Sequence, residues 1–368
     1  MSTTPDALAT QPGRGRRADN PTEIPMRGWK DVLWRIYGDI NENHILLTAA
    51  GVTFYMLLSL VPTLNATISI YGLFNDRQSV LQQVELLSGL MPPGALSVVR
   101  DQLTRLTAQS SDTLGWTLLV SLAIALWSAS AGVKAMFEAM NVAYHEEERR
   151  SFLVLNAVAL LFTLVGAIAG VLVLSVVVVM PVLVQILLPG GGGLEWAVRI
   201  GSYGVMLFVL SLMIAVLYRW GPSREQAKWR WITPGVVLSI LAMGIGSVAF
   251  SWYVSNFTDD NAAYGSLGAV IGLMTWLWIS TTIVILGAVL NSEIEHQTSK
   301  DSTTGEDKPL GTRGAFVADS IGKAAGASGE DRAAGQQPRQ RVKWGAMAFA
   351  LPAALALSAA NRRGRRQG

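Results

Sequence analysis

The chain has no cysteine, three histidines, and charge on only 15% of its 368 residues. Each shortage excludes something. Without cysteine there is no disulfide, thiolate nucleophile, iron–sulfur cluster or Cys-ligated zinc. His44, His145 and His296 stand far apart, and no His-x-His-x-Asp cluster or other metal-ligand spacing appears. The expectation is a chain that carries no metal and no other cofactor. No Gly-x-x-x-x-Gly-Lys-[Ser/Thr] loop is present, so any active transport must draw on an ion gradient or a partner ATPase. A soluble domain of this size carries about 25% charged residues. The deficit argues against an ordinary cytosolic enzyme, and the expectation is a non-enzyme.

The charges that do occur are clustered. None falls between Glu42 and Asp76, Asp112 and Lys134, Arg150 and Glu195, Arg199 and Arg219, Arg230 and Asp259, or Asp260 and Glu293. Each gap holds at least 19 mainly apolar residues. A bilayer core about 30 Å thick takes about 20 helical residues. Soluble core helices would alternate apolar and charged faces; these segments are apolar all round. The expected fold class is therefore all-α: an integral membrane bundle of six transmembrane helices, at about 45–70, 114–133, 152–180, 197–218, 232–256 and 265–290. The first starts behind a polar tail, too late for a secretory signal peptide. The third gap would exceed one span, and Pro181 and Pro189–Gly193 mark where its helix bends or stops.

Between the first two spans, residues 77–90 and 95–106 place leucine and valine at helical spacing around Pro92-Pro93-Gly94. They read as an outer helical hairpin, more readily a structural cap than a partner-binding lid. The expected domains are a disordered basic cytoplasmic tail over 1–27, a six-helix membrane domain over 28–296, a disordered linker over 297–341, and a short apolar segment with a basic end over 342–368. Within the last, 344–361 reads as an interfacial helix or a weak seventh span. The N-terminal segment and even-numbered loops hold 13 Lys and Arg against 4 in the odd loops. The positive-inside rule then makes the N-terminus cytoplasmic. Trp29, Trp34, Trp116, Trp127, Trp196, Trp220, Trp229 and Trp231 read as an aromatic belt near the helix ends.

Polar residues inside apolar helices face a protein interior or a water path. Thr48, Tyr55, Ser59 and Pro62 fall near one face of the first span. Ser128 lies in a small-residue stretch of the second. Lys134, Glu138, Asn141 and His145 follow at i, i+4, i+7 and i+11. Tyr253, Asn256 and Tyr264 flank a turn carrying Asp259, Asp260 and Asn261, which reads as a hydrated, capped turn or a cation site. Asn291 and Glu293, with Glu295, end the last span at the depth of Lys134, Glu138 and Arg219, suggesting an inner-end charge cluster. These residues are the substrate-path candidates.

Four stretches then carry a family resemblance: LTAAGVTFYMLLSLVP from Leu47 to Pro62; LWSASAGVKAMFEAMNVAY from Leu126 to Tyr144; LYRWGP from Leu217 to Pro222 with Thr233-Pro234-Gly235; and FSWYVSNF from Phe250 to Phe257 with YGSLG from Tyr264 and GAVLN from Gly287 to Asn291. Over about residues 28–296 the chain resembles the YihY/virulence factor BrkB family of bacterial inner-membrane proteins. The resemblance implies a multi-pass protein of the bacterial inner (plasma) membrane whose activity is unsettled. Transport or handling of an envelope lipid or small solute is the expectation it supports, with a non-transporting scaffold as the alternative. Family members commonly carry an acid where this chain has Val289, with Glu293 four residues on. The family's ribonuclease BN label does not fit these residues. They include no paired carboxylates with metal spacing, no histidine pair and no aromatic-basic strand path. The expected partners are the lipid bilayer and a lipid or small solute, not nucleic acid. A polar-lined cleft separates a handler from a solidly packed scaffold.

Overall fold

In a computed structural model of the chain, the described residues are 11–74, 114–174, 176, 192–257 and 265–325. A 3₁₀ turn, Pro21–Glu23, precedes eight helices: α1 Met26–Glu42, α2 Ile45–Phe74, α3 Leu114–Ala143, α4 Phe152–Leu174, α5 Gly192–Trp220, α6 Trp229–Phe257, α7 Gly265–Glu295 and α8 Phe316–Asp319. No strand occurs among the described residues; an isolated bridge joins Ala227 and Thr303. The outer hairpin, the Asp259–Tyr264 turn and the 344–361 segment lie outside the described residues.

Among the described residues, four stretches are long and apolar enough to cross a bilayer: Phe152–Val173, Trp196–Trp220, Trp229–Val254 and Val270–Glu295. Their outer surfaces stay apolar, with Ile168, Phe208, Ile245 and Val248 between 67% and 73% exposed. Water would penalise such a surface and hydrocarbon does not. The chain is a multi-pass membrane protein. α2 and α3 add two apolar helices of 30 residues each, and α2 continues through Pro62 without a break in its assignment.

α7 holds the bundle together. It touches α1, α2, α3, α6 and α8, and 39% of its apolar window is buried against 11% in α4 and α5. Its crossing with α6 depends on missing side chains. A Cβ on Gly235 would collide with the Gly287 carbonyl oxygen, and one on Gly287 with Ser239 Oγ and Tyr218 Oη. The close approach lets Tyr218 donate to the Val284 carbonyl (2.7 Å) and share a hydrogen bond with Ser239 (2.6 Å). Asn291 Oδ1 accepts the Gly235 N–H at 2.7 Å. Around this crossing lies an apolar cluster that includes Ile45, Val52, Met140, Ile232, Ile285 and Val289. Val289, where the resemblance leads one to expect an acid, is 1% exposed within that cluster.

α1 is amphipathic. It buries Gly28, Asp31 and Val32 and exposes Met26, Leu33, Trp34 and Tyr37, each at least 51% exposed. An apolar outer face with basic neighbours (Arg27, Lys30) is the pattern of helices that lie in a membrane interface. Trp34, Trp127, Trp196, Trp220 and Trp229 are exposed in keeping with a belt, but Trp231 is fully buried beside Val32, Leu290 and Ile294. It anchors α6 to the protein rather than to lipid.

The described parts of the two segments expected to be disordered are folded. Arg16 is 2% exposed and its guanidinium donates to the Gln297 carbonyl. Ser299 N–H returns a bond to the Arg16 carbonyl at 2.8 Å. Arg313, 4% exposed, donates to the carbonyls of Ser299, Lys300, Lys308 and Ala318. Asp301 accepts from Thr303 and from the Lys308 N–H. The composition of 297–325 signals a chain with little apolar area to bury. Its order comes instead from polar side chains that satisfy backbone groups, a term composition does not register.

Candidate functional site

At one end of the bundle, the helices are tied into a polar layer by residues distant in sequence. α3 ends at Ala143, and the chain leaves through His145 in a left-handed conformation (φ +55°). Asn141, 2% exposed, accepts the Ser223 N–H at 2.7 Å and donates to Glu148 at 3.1 Å. Glu148 takes a two-pronged bond from Arg150, at 2.8 and 2.7 Å. Burial disfavours the charged Glu148 carboxylate, but the Arg150 bonds outweigh it and hold its pKa down at about 2. Arg150 in turn donates to the carbonyls of Trp220 and Gly221. Glu146, its pKa raised chiefly by burial, accepts the Phe316 N–H of α8.

A second tie runs from the 221–228 loop to α7. Arg224 donates to Glu295 while stacking 4.9 Å over Tyr144. Burial opposes the Arg224 charge, and Glu295 outweighs it, so the guanidinium pKa is raised. A third tie joins α1 to α7. Arg35 donates to the Glu293 carboxylate and to the Glu293 carbonyl (2.9 Å). His296 Nδ1 lies 3.5 Å from the same carboxylate, and His296 Nε2 lies 3.1 Å from Ser320 Oγ.

Beside this layer is a cavity of about 550 Å³ between α4 and α5, which touch only sparsely. Val158, Leu161, Phe162 and Val165 form one wall, Met213 and Val216 the other. Arg150, Arg219, Trp220, Pro222, Ser223, Arg224 and Gln226 close its inner end. Three arginines thus line it, and they differ. Arg150 is neutralised by Glu148 and Arg224 by Glu295. Arg219 has no carboxylate partner among the described residues. It donates to the Ala227 carbonyl (2.7 Å) and sits 4.6 Å from the Trp229 ring and 5.2 Å from the Trp220 ring. Its Nε is buried without a hydrogen-bond partner.

The substrate-path candidates divide. Asn141, Asn291 and Glu293 are each buried, near the ends of α3 and α7. Lys134 does not join them; it donates to Asn156 of α4 at 2.9 Å and lies 4.9 Å over Trp127. Glu138 is exposed. Thr48 and Ser128 are half-buried. Ser59 is half-buried where α2 meets Gly132, its hydroxyl donating to the Met56 carbonyl. Tyr55 and Tyr253 are 46% and 54% exposed on the outer surface. Asn256 is exposed and donates to the Trp252 carbonyl. The Pro62 side chain and Tyr264 lie outside the described residues. None of these residues lines the α4–α5 cavity. Sequence reasoning missed Arg35, Asp39, Arg150 and Arg224 as site residues. Arg35, Asp39 and Arg224 find their partners in other segments, and Arg150, though paired with the nearby Glu148, also reaches the Trp220 and Gly221 carbonyls; only the basic LYRWGP stretch pointed near the cavity.

Comparison with known proteins agrees with the fold. The family Virulence factor BrkB matches residues 36–310. A protein named ribonuclease-like, YfkH of Bacillus subtilis (strain 168), is 32% identical over 66% of this chain and 88% of its own length. The UPF0761 membrane protein NTHI0384 of Haemophilus influenzae (strain 86-028NP) is 21% identical over 74% of this chain and 97% of its own. The UPF0761 membrane protein Mpe_A1422 of Methylibium petroleiphilum (strain ATCC BAA-1232 / LMG 22953 / PM1) is 25% identical over 71% of this chain and 62% of its own. No solved structure matches. With the match extending from within α1 through α7 and into the folded segment that follows, the chain belongs to the virulence factor BrkB family.

Proposed function

We propose that this protein is a six-span protein of the bacterial inner membrane that binds and handles a lipid with an anionic headgroup. The observation that carries the reading is the α4–α5 cavity, apolar along its length and closed at one end by Arg219, whose charge no carboxylate among the described residues offsets. An acyl chain fits walls of valine, leucine, phenylalanine and methionine. A phosphate fits an arginine with a free N–H. Leu161 and Val165 are 58% and 44% exposed, so the cavity opens sideways toward the hydrocarbon. The cationic loops that gather at its closed end support a cytoplasmic position for that end and for the N-terminus, by the positive-inside rule.

A ribonuclease reading, which the name of YfkH would suggest, finds no support at the cavity: its walls are lipid-like and hold no general base.

A photoreactive benzoylphenylalanine at Met213, activated in native membranes, tests the reading. Covalent capture of a phospholipid, reduced by Arg219→Gln in the same background, supports it. Capture of protein alone, or lipid capture indifferent to Arg219→Gln, returns the chain to the scaffold alternative.

A further inference from the structure

Asp39, His145 and Glu293 come from three separated parts of the sequence: the end of α1, the turn after α3 and the last turn of α7. Each presents one ligand atom, and the three atoms lie within 4.8 Å of one another. His145 Nε2 is 3.6 Å from Asp39 Oδ2. That is too long for a hydrogen bond, but it suits two ligands of one ion. Bonds of about 2.1 Å set neighbouring ligand atoms about 3 Å apart and opposite ones about 4.2 Å apart. We infer that these three side chains form a binding site for a divalent transition-metal ion.

Two further observations point to a ligand there. Asp39 Oδ2 is buried and has no hydrogen-bond partner among the described residues, while Oδ1 is occupied by Asn43 Nδ2 at 3.3 Å. A carboxylate oxygen withdrawn from water with nothing to accept from is costly unless a cation meets it. The two carboxylates are also unequally matched. Arg35 and His296 both face Glu293, whereas Asp39 has no arginine or lysine partner among the described residues and only the His145 ring beside it.

The supporting shell is built as metal sites require. Arg35 fixes Glu293 from α1, with a second bond to the Glu293 carbonyl. The left-handed backbone at His145 turns its ring off the α3 axis toward Asp39, a conformation costly for a residue other than glycine. One imidazole with two carboxylates selects Mn²⁺, Fe²⁺ or Zn²⁺ over Mg²⁺ and Ca²⁺, which prefer oxygen alone. The ion would clamp the interfacial helix α1 to the inner ends of α3 and α7, and so couple metal supply to the order of the inner face.

The test uses full-length, untagged protein in nanodiscs, stripped with chelator and titrated with Mn²⁺. We expect about one equivalent bound and a melting temperature raised by about 3 °C or more. Asp39→Asn and His145→Gln should each abolish both effects, and Glu138→Gln, an exposed acid outside the cluster, should retain them. Because a cluster variant could fail to fold, the wild type is also read alone. Electron spin-echo modulation from one imidazole nitrogen on the bound Mn²⁺ is the expected signature. Absence of stoichiometric binding, binding unchanged in Asp39→Asn and His145→Gln, or bound Mn²⁺ without nitrogen modulation would each overturn the site.

Discussion

Arg224 and Glu295 form an ion pair at 2.7 Å in which neither side chain is more than 2% exposed. The pair closes the wall of the α4–α5 cavity and anchors the 221–228 loop to the end of α7. Ser302 adds a bond to the same carboxylate at 2.9 Å, which brings the following segment into the arrangement. Removing one partner leaves a buried charge uncompensated, at a cost of about 3–5 kcal/mol. Glu295→Gln and Arg224→Met should each lower the melting temperature sharply. The double variant should recover much of the loss, and a simple sum of the two losses would show that the residues act independently.

The α6–α7 crossing predicts a contrast between glycines. Gly287→Ala drives a methyl into Ser239 and Tyr218, and should destabilise by roughly 1–3 kcal/mol. Gly244→Ala, on the same helix pair but with open space around the added methyl, should be neutral or stabilising by up to about 1 kcal/mol. Thermal melts of the two variants in one detergent decide it. Equal effects would mean the crossing is looser than described.

Much of this fold was legible beforehand because the bilayer imposes one rule, that long uncharged stretches become helices. The gaps in charge start within about five residues of α2, α3, α4, α6 and α7, whereas α5 begins at Gly192, ahead of the Arg199 that opens its gap. The site was less legible. Asn141 and Glu293 stood out as polar residues at costly positions. Arg150 and Arg224 looked like topology-setting charges; the match of Arg224 to Glu295, 71 residues on, and of Arg150 to the carbonyls of Trp220 and Gly221, emerges only in three dimensions. Arg16 and Arg313 were hidden for another reason. They order segments of low apolar content through bonds to backbone carbonyls, and a composition argument has no term for that. Tyr55 misled because a polar atom on an apolar helix also fits the lipid interface, where its apolar ring and polar tip are both accommodated.

The inner face should have an acid limb set by Glu148. Its folded-state pKa of about 2 lies below the ordinary 4.5, so its contribution to stability is complete above about pH 4.5 and is lost as pH falls toward 2. Melting temperatures measured from pH 6 downward should drop faster for wild type than for Glu148→Gln, with the two curves converging near the bottom of that range. Parallel curves would remove Glu148 from the account.

Orientation is testable because the chain has no native cysteine to give background. Asp307, its side chain 75% exposed, is the probe. Asp307→Cys should react with a membrane-impermeant maleimide in inverted vesicles and stay unlabelled in intact spheroplasts. The reverse pattern would turn the whole topology over.

The central claim is that the α4–α5 cavity holds an anionic lipid on Arg219. The most direct measurement is native mass spectrometry of the full chain released from nanodiscs that mix phosphatidylglycerol with phosphatidylcholine. Wild type should retain phosphatidylglycerol in preference. Arg219→Gln should lose that preference, and Val165→Trp, which fills the wall, should lose retained lipid altogether. Equal retention of both lipids by wild type, or a preference that survives both substitutions, would contradict the account.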